Sequence, residues 1–115
     1  MFRQIKREEI QRHLVAGSAV TLIEALPEKY YRDGHLPGAI NLPHDQVRAC
    51  APELLLDKHA LLVVYCANTP CQNSTIAART LDALGYTDVA EYVEGKQDWV
   101  EAGLALEKSA TEKVA

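Results

Sequence analysis

Two cysteines and a serine lie where a strand pattern gives way to a helix pattern. The segment VVYCANTPCQNSTIAARTL, residues 63–81, begins with β-branched and aromatic residues and ends with an alanine-rich helical pattern. Cys66 closes the strand pattern, and Ser74 is the predicted N-cap of the helix. A thiol at this position faces the positive end of a helix dipole and the N–H groups of a tight loop, which favour its thiolate. We therefore predict that Cys66 is a catalytic nucleophile.

The loop between this strand and this helix is the predicted substrate site. Its backbone N–H groups can hold the oxyanion of a substrate or the charge of a persulfide. The sequence leaves three roles open for Cys71: a resolving thiol, a second sulfur carrier or an incidental loop residue. Cys50 lies in a weak helix pattern and is predicted to act as a small hydrophobe. The predicted substrate-binding residues are Ala67, Asn68, Thr69, Cys71, Gln72, Asn73 and Ser74.

Alternating strand and helix patterns predict the architecture around the loop. Strand patterns cover residues 2–5, 19–26, 39–42, 60–66 and 89–93, and helix patterns cover 7–17, a short turn after 27, 45–55, 74–86 and 96–103. This order predicts an α/β fold with a mainly parallel central sheet of about five strands and helices on both faces. Ligands of such sheets bind beyond the carboxyl ends of the strands, where Cys66 falls. In the 74–86 helix, the predicted buried face is Ile76, Ala77, Thr80, Leu81 and Leu84.

The size and charge of the chain limit the classes of partner. Its 115 residues suffice for one domain, predicted over 1–107, with a flexible C-terminal tail over 108–115. A net charge of -4 argues against nucleic acid or an anionic membrane as a partner. The charged N-terminal segment has no apolar signal region, so we expect no cleaved leader. Three cysteines, an odd number, favour free thiols in a reducing cytoplasm.

Metal and cofactor sites are not expected. A zinc site would need paired spacings such as C-x2-C, and the sequence has none. We therefore predict no metal and no cofactor. The histidine that stands before a Pro-Gly turn, His35, is expected to hold its loop through hydrogen bonds rather than to transfer protons.

Three segments resemble the single-domain rhodaneses, a family of sulfurtransferases. DGHLPGAINLP, residues 33–43, is similar to the Gly-His-Leu-Pro-Gly-Ala-Ile-Asn-Leu-Pro signature of the family. VVYC followed by STIAARTLDALGY resembles the active-site strand and helix, and residues 91–107 resemble the closing segment around Trp99. The resemblance implies a rhodanese-like fold over residues 3–107, with His35 and Gly38 as structural signature residues. It implies that Cys66 carries sulfane sulfur as a persulfide, taken from thiosulfate or a persulfide and passed to a thiol or another nucleophilic acceptor.

The chain departs from the family pattern around the loop. Seven residues separate Cys66 from Ser74 where the family has five, and Asn73 stands at the position of an arginine. A second family arginine is missing after the second strand, where the sequence reads Glu24-Ala25-Leu26, and Glu94 replaces one of two paired glycines. A dianion such as thiosulfate therefore finds only backbone N–H groups in the loop.

The sequence argues against one alternative function and leaves another open. A phosphatase or arsenate reductase would need a loop arginine to clamp oxyanions, and ANTPCQN has neither arginine nor lysine. A non-catalytic interaction or thiol redox-sensing module would use a Cys66–Cys71 disulfide.

For the sulfurtransferase hypothesis, the expected partners are a small sulfur donor and a thiol or protein acceptor, with no nucleic acid or membrane. The expected state is a monomer or weak homodimer.

Overall fold

The computed structural model describes residues 2–108, which form an α/β fold around a five-stranded parallel sheet. The order of the strands is β1-β5-β4-β2-β3, so β4 is central. The predicted sheet and its helices are confirmed. All but the first residue of the predicted 108–115 tail lies outside the described residues. The strands are β1 (Arg3–Gln4), β2 (Thr21–Glu24), β3 (Ile40–Asn41), β4 (Leu62–Tyr65) and β5 (Val89–Tyr92).

Helices connect the strands and cover both faces of the sheet. A short 3-10 turn, His44–Gln46, leads directly into α3. In the described part of the chain, no helix has the length and apolar character needed to cross a membrane. The helices are α1 (Arg7–Ala16), α2 (Glu28–Asp33), α3 (Val47–Leu54), α4 (Asn73–Ala83) and α5 (Gly95–Glu101).

Strand β4 is buried on both faces, because its side chains alternate between two apolar cores. Leu62 and Val64 pack in the core under α3 and α4. Val63 and Tyr65 pack in the other core, which includes Ile10 of α1 and the α5 residue Trp99. Each such buried aliphatic side chain contributes about 1.5–3 kcal/mol relative to its exposed state. The strand that leads to Cys66 is therefore the most enclosed part of the sheet.

The start of α4 differs from the prediction. The helix begins at Asn73, its N-cap is Gln72, and no side chain caps it, so the prediction of Ser74 as N-cap was wrong. The buried face comprises Ser74, Ala77, Ala78 and Leu81, whereas Ile76 is 42% exposed. Ala77 and Leu81 of the predicted face are buried, and Leu84 packs against the same core. The prediction was wrong at Ile76, because the buried face uses small residues that let α4 approach the sheet.

The first turn of α5 packs tightly against the end of β4. The N–H of Lys96 donates to the Cys66 carbonyl at 2.9 Å, and the N–H of Gln97 donates to the Ala67 carbonyl at 2.9 Å. Gly95 permits this approach with a φ of +66°. A Cβ atom at Gly95 would overlap the Cys66 carbonyl oxygen and lie 3.0 Å from the carbonyl carbon of Ala67. The backbone of Cys66 and Ala67 is thus held by a close contact with Gly95.

We predict that Gly95→Ala destabilises the protein by about 3 kcal/mol or more, because left-handed strain and a backbone clash act together. Gly103→Ala is the matched control: its φ is +84°, but nothing lies within 4 Å of the added Cβ. That variant should lose only about 1 kcal/mol. Urea unfolding measures both free energies. Equal losses in the two variants would show that the contact with Cys66 is unimportant.

Candidate active site

Cys66 follows β4 directly and is 1% exposed. It points to the same face of the sheet as Val64, two residues earlier, which is the face covered by α4. The loop of residues 67–72 then carries the chain to the first turn of α4. The predicted nucleophile therefore lies at the carboxyl end of the central strand, beside a helix N-terminus.

The loop after Cys66 is a compact turn. The N–H of Cys71 donates to the carbonyl of Asn68 at 3.1 Å. Ala67, Asn68, Cys71 and Asn73 are half-buried, whereas Thr69 and Gln72 are exposed. The structure thus places all the predicted substrate-binding residues around one loop, with Ser74 beneath it.

Cys71 meets Cys66 in a disulfide. The Cα atoms of the two residues are 6.5 Å apart, within the range that a disulfide requires. Cys50, in α3, is a free thiol on a different element. The loop therefore brings a second sulfur directly onto Cys66, and that sulfur must move away before Cys66 can react with another molecule.

Ser74 connects Cys66 to a carboxylate that sequence reasoning missed. Cys66 Sγ lies 3.4 Å from Ser74 Oγ, and the Ser74 hydroxyl donates to Glu91 Oε2 at 2.7 Å. The Thr75 hydroxyl also donates to Glu91 Oε2 at 2.7 Å. Glu91 is only 4% exposed, although its side chain is a carboxyl group. The signal in the sequence is a glutamate at the centre of an apolar strand, VAEYV, at the same parity as the buried Val89.

A second buried carboxylate, Glu24, lies on the opposite face of the sheet. Lys96 Nζ pairs with Glu24 Oε2 at 3.0 Å, and the Tyr65 hydroxyl donates to Glu24 Oε1 at 2.9 Å. Lys96 Nζ also donates to the carbonyls of Tyr30 and Gly34. Burial raises the pKa of Glu24 above its ordinary value, against the lowering effect of Lys96 and Tyr65. Burial also raises the pKa of Tyr65, with a further contribution from Glu24, which keeps this hydroxyl a neutral donor.

His35 and Gly38 lie in the loop before β3, away from the sulfur atoms. His35 is 4% exposed, stacks on Tyr31 with ring centroids 3.9 Å apart, and places Nδ1 2.9 Å from the Tyr31 carbonyl oxygen. Its backbone N–H donates to the Glu107 carbonyl at 2.8 Å. Gly38 has a φ of +78°, and its N–H donates to Glu107 Oε1 at 2.9 Å. Both residues therefore tie this loop to the closing segment.

An acidic cleft of about 200 Å³ lies beside the Cys66 loop. Two carboxylates of this cleft form ion pairs: Glu94 with Lys6 at 2.6 Å, and Asp98 with Arg7 at 2.8 Å. The cleft is lined by Thr69, Glu94, Gln97, Asp98 and Glu101. Within residues 2–108, no group of three or more His, Cys, Asp or Glu side chains is arranged to hold a metal ion.

The protein therefore belongs to a class of α/β proteins in which a cysteine ends a central parallel strand. A loop and the N-terminus of a helix follow this cysteine. The chain belongs to the rhodanese-like domain family, whose model matches residues 6–102. The family resemblance noted from the sequence is thereby confirmed.

The proteins to which the chain is similar have names of different kinds. The chain is 34% identical over 106 residues to the HTH-type transcriptional regulator Rv0324 of Mycobacterium tuberculosis, covering 92% of this chain and 45% of that protein. The crystal structure of thiosulfate sulfurtransferase from Pseudomonas aeruginosa matches with a TM-score of 0.81 and 25% identity, over 93% of this chain and 20% of that one. The Alr3790 protein from Anabaena sp. matches with a TM-score of 0.83 and 23% identity, over 96% of each chain. The chain spans about half the length of the curated relatives it matches.

We predict that Lys96→Met destabilises the protein at pH 7 by about 3–5 kcal/mol, because it leaves the Glu24 carboxylate buried without a cation. The raised pKa of Glu24 rises further in this variant. In a carboxyl group whose folded pKa is raised, the cost of the charge is present above that pKa and disappears as the pH falls through it. Urea unfolding should therefore show a smaller loss at pH 5 than at pH 7.

The double variant Lys96→Met/Glu24→Gln is the control for this prediction. It removes both charges, and it should regain most of the stability at pH 7. A loss that is equal at the two pH values and is not recovered in the double variant would mean that Lys96 contributes through its hydrogen bonds to the Tyr30 and Gly34 carbonyls rather than through its pairing with Glu24.

Proposed function

We propose that this chain is a sulfurtransferase that carries sulfane sulfur as a persulfide on Cys66. The observation that carries the proposal is the position of Cys66 at the end of β4, beside the first turn of α4 and against a second sulfur. Membership of the rhodanese-like family supports it, as does the likeness to a structure named as a sulfurtransferase.

In the first step, the Cys66 thiolate attacks the outer sulfur of a donor. With a persulfide donor, the S–S bond of the donor breaks, and the donor leaves as a thiolate with the electron pair. Cys66 then carries one additional sulfur as Cys66–S–SH. Free N–H groups of the loop and of the first turn of α4 stabilise the negative charge that develops on the sulfur.

In the second step, a nucleophilic acceptor attacks the outer sulfur of the Cys66 persulfide. A thiolate acceptor takes this sulfur and becomes a persulfide, and Cys66 regains its thiolate, so no external oxidant or reductant is consumed. We propose further that the donor is a small molecule and that the acceptor is a thiol or a protein. The protein is proposed to be a monomer or weak dimer in the cytoplasm.

Cys71 acts after the first step. Its thiolate can attack the inner sulfur of the Cys66 persulfide, which forms the Cys66–Cys71 disulfide and releases hydrosulfide. This disulfide caps the nucleophile, and reduction by a cellular thiol reopens the site. Cys71 is therefore proposed as the resolving thiol, and the disulfide as the discharged resting form.

The second candidate function is a non-catalytic thiol redox-sensing module. The direct contact of Cys66 and Cys71 favours it, because the pair can report the redox state of the cell without sulfur transfer. A relative that is a transcriptional regulator is compatible with a sensing domain. Under this alternative, the reduced protein would form the disulfide but would load no sulfur.

We expect Cys66→Ser to abolish turnover with a persulfide donor, a loss of at least about 10³-fold, because a serine hydroxyl is scarcely ionised near neutral pH. The assay follows release of the donor thiol by the reduced protein. Cys50→Ser is the matched control and should keep full turnover, because Cys50 lies in α3, outside the loop. Substantial turnover in the Cys66→Ser variant would overturn the assignment of the nucleophile.

We expect Cys71→Ala to load sulfur on Cys66 in a single turnover but to release no hydrosulfide afterwards. The reason is that Cys71 supplies the thiolate that resolves the persulfide, whereas the loop N–H groups stay in place. Intact mass measured over time after loading should show a persulfide that persists in the variant and decays to the disulfide in the wild type. Failure of the variant to load, with the fold intact, would make Cys71 part of the first step.

A further inference from the structure

The two buried carboxylates differ in how their charge is balanced. Glu24, on the α5 face, pairs with Lys96. Glu91, on the α4 face, is held by the hydroxyls of Ser74 and Thr75, and no lysine or arginine within residues 2–108 forms an ion pair with it. A buried charge without a counterion lowers the stability of the fold, so the burial of Glu91 beside Cys66 requires an explanation.

Glu91 is joined to Cys66 through one hydroxyl group. Its Oε2 accepts hydrogen bonds from both Ser74 and Thr75, as an ionised carboxylate oxygen does. Ser74 has a single hydroxyl hydrogen and donates it to Glu91. Toward Cys66 Sγ, 3.4 Å away, Ser74 therefore presents lone pairs rather than a hydrogen. This side of the sulfur offers no support to additional negative charge.

The remaining charges around the loop do not offset Glu91. Residues 67–73 contain no lysine or arginine. The N-terminus of α4 supplies the equivalent of about half a positive charge, which is less than the full negative charge of a carboxylate. Glu91 therefore opposes the attraction that the loop N–H groups and the α4 N-terminus exert on an anion at Cys66, and this opposition grows with the charge of the anion.

We propose that Glu91 is a specificity-determining residue that excludes dianionic sulfur donors and leaves neutral or singly charged persulfides as the donor class. This inference rests on the proposed sulfurtransferase function. With thiosulfate, the Cys66 thiolate attacks the outer sulfur, the S–S bond breaks and sulfite leaves with the electron pair. Two negative charges must then enter and leave beside Glu91. With a neutral persulfide, no charge enters and a thiolate with one charge leaves.

Two alkylating reagents that are matched in size but differ in charge test the inference without a sulfur donor. Iodoacetamide is neutral and iodoacetate is an anion of similar size, and the ratio of their rates at Cys66 cancels changes in the thiolate fraction. The experiment uses the reduced full chain with Cys71→Ala, which uncovers Cys66 and leaves it the only cysteine in its tryptic peptide. Glu91→Gln should lower the preference for iodoacetamide at Cys66 by about tenfold or more, the effect of removing a like charge at this range.

Two controls separate the buried charge from other effects. Glu101→Gln removes an exposed carboxylate from the acidic cleft beside the loop and should change the rate ratio by less than about twofold, because water and salt screen it. The rate ratio at Cys50, in a separate tryptic peptide, should be unchanged by Glu91→Gln. An unchanged ratio at Cys66 in the folded Glu91→Gln variant overturns the inference.

A measurement without the Glu91 substitution covers the case in which that variant does not fold. The preference for iodoacetamide at Cys66 should be greater in the folded chain than in the same chain unfolded in urea, where Glu91 no longer lies behind the sulfur. An equal preference in the two states overturns the inference.

Donor kinetics then connect the charge to sulfur transfer. In the Glu91→Gln chain that retains Cys71, kcat/KM for thiosulfate relative to cysteamine persulfide, whose ammonium group balances the charge of its persulfide, should rise by about tenfold or more over the wild type. An unchanged ratio of the two donors overturns the inference and leaves the proposed function intact. If neither donor loads Cys66 in any variant, the proposed function fails, and the donor specificity fails with it even where the alkylation ratio responds to Glu91→Gln.

Discussion

The constraint on which the site depends is the enclosure of β4 on both faces, which fixes where its last residue can lie. Because the strand is buried between α4 and α5, its carboxyl end emerges between the first turns of these two helices. The Gly95 contact and the two main-chain hydrogen bonds from α5 hold the backbone at Cys66 and Ala67. Main-chain groups thus position Cys66 without the side chains of the loop that follows.

The buried carboxylates on the two faces of the sheet at the end of β4 differ in whether a cation balances them. On the α5 face, Glu24, Lys96 and Tyr65 form a compensated network that stabilises the packing of α5 and the loop before β3. On the α4 face, Glu91 lies behind Ser74 without a cation among the described residues, so the charge acts on Cys66 rather than on a partner. The first network maintains the structure, and the second sets the electrostatics of the proposed chemistry.

The sequence predicted the order of strands and helices, because the apolar runs are strong and the glycines Gly17 and Gly85 mark helix ends. It predicted the position of Cys66 for the same reason. It placed the start of α4 too late, because serine is a preferred N-cap residue. It placed Ile76 in the buried face, because the buried alanines carry a weaker apolar signal than this exposed residue. Glu91 was missed because its role comes from the register of β5 beside β4, which pairs it with Val64 and brings it under the loop. Long-range register of this kind leaves little trace in local sequence patterns.

The most direct test of the central claim is to map the additional sulfur on the wild-type chain. The protein is reduced, loaded briefly with glutathione persulfide, quenched with alkylating reagent and digested, and the mass of each cysteine peptide is measured. The account predicts one additional sulfur in the peptide of residues 59–79, with fragment ions that place it on Cys66, and none in the peptide that contains Cys50. A loaded sample in which Cys66 carries no additional sulfur, with the thiol free and the fold intact, would contradict the account.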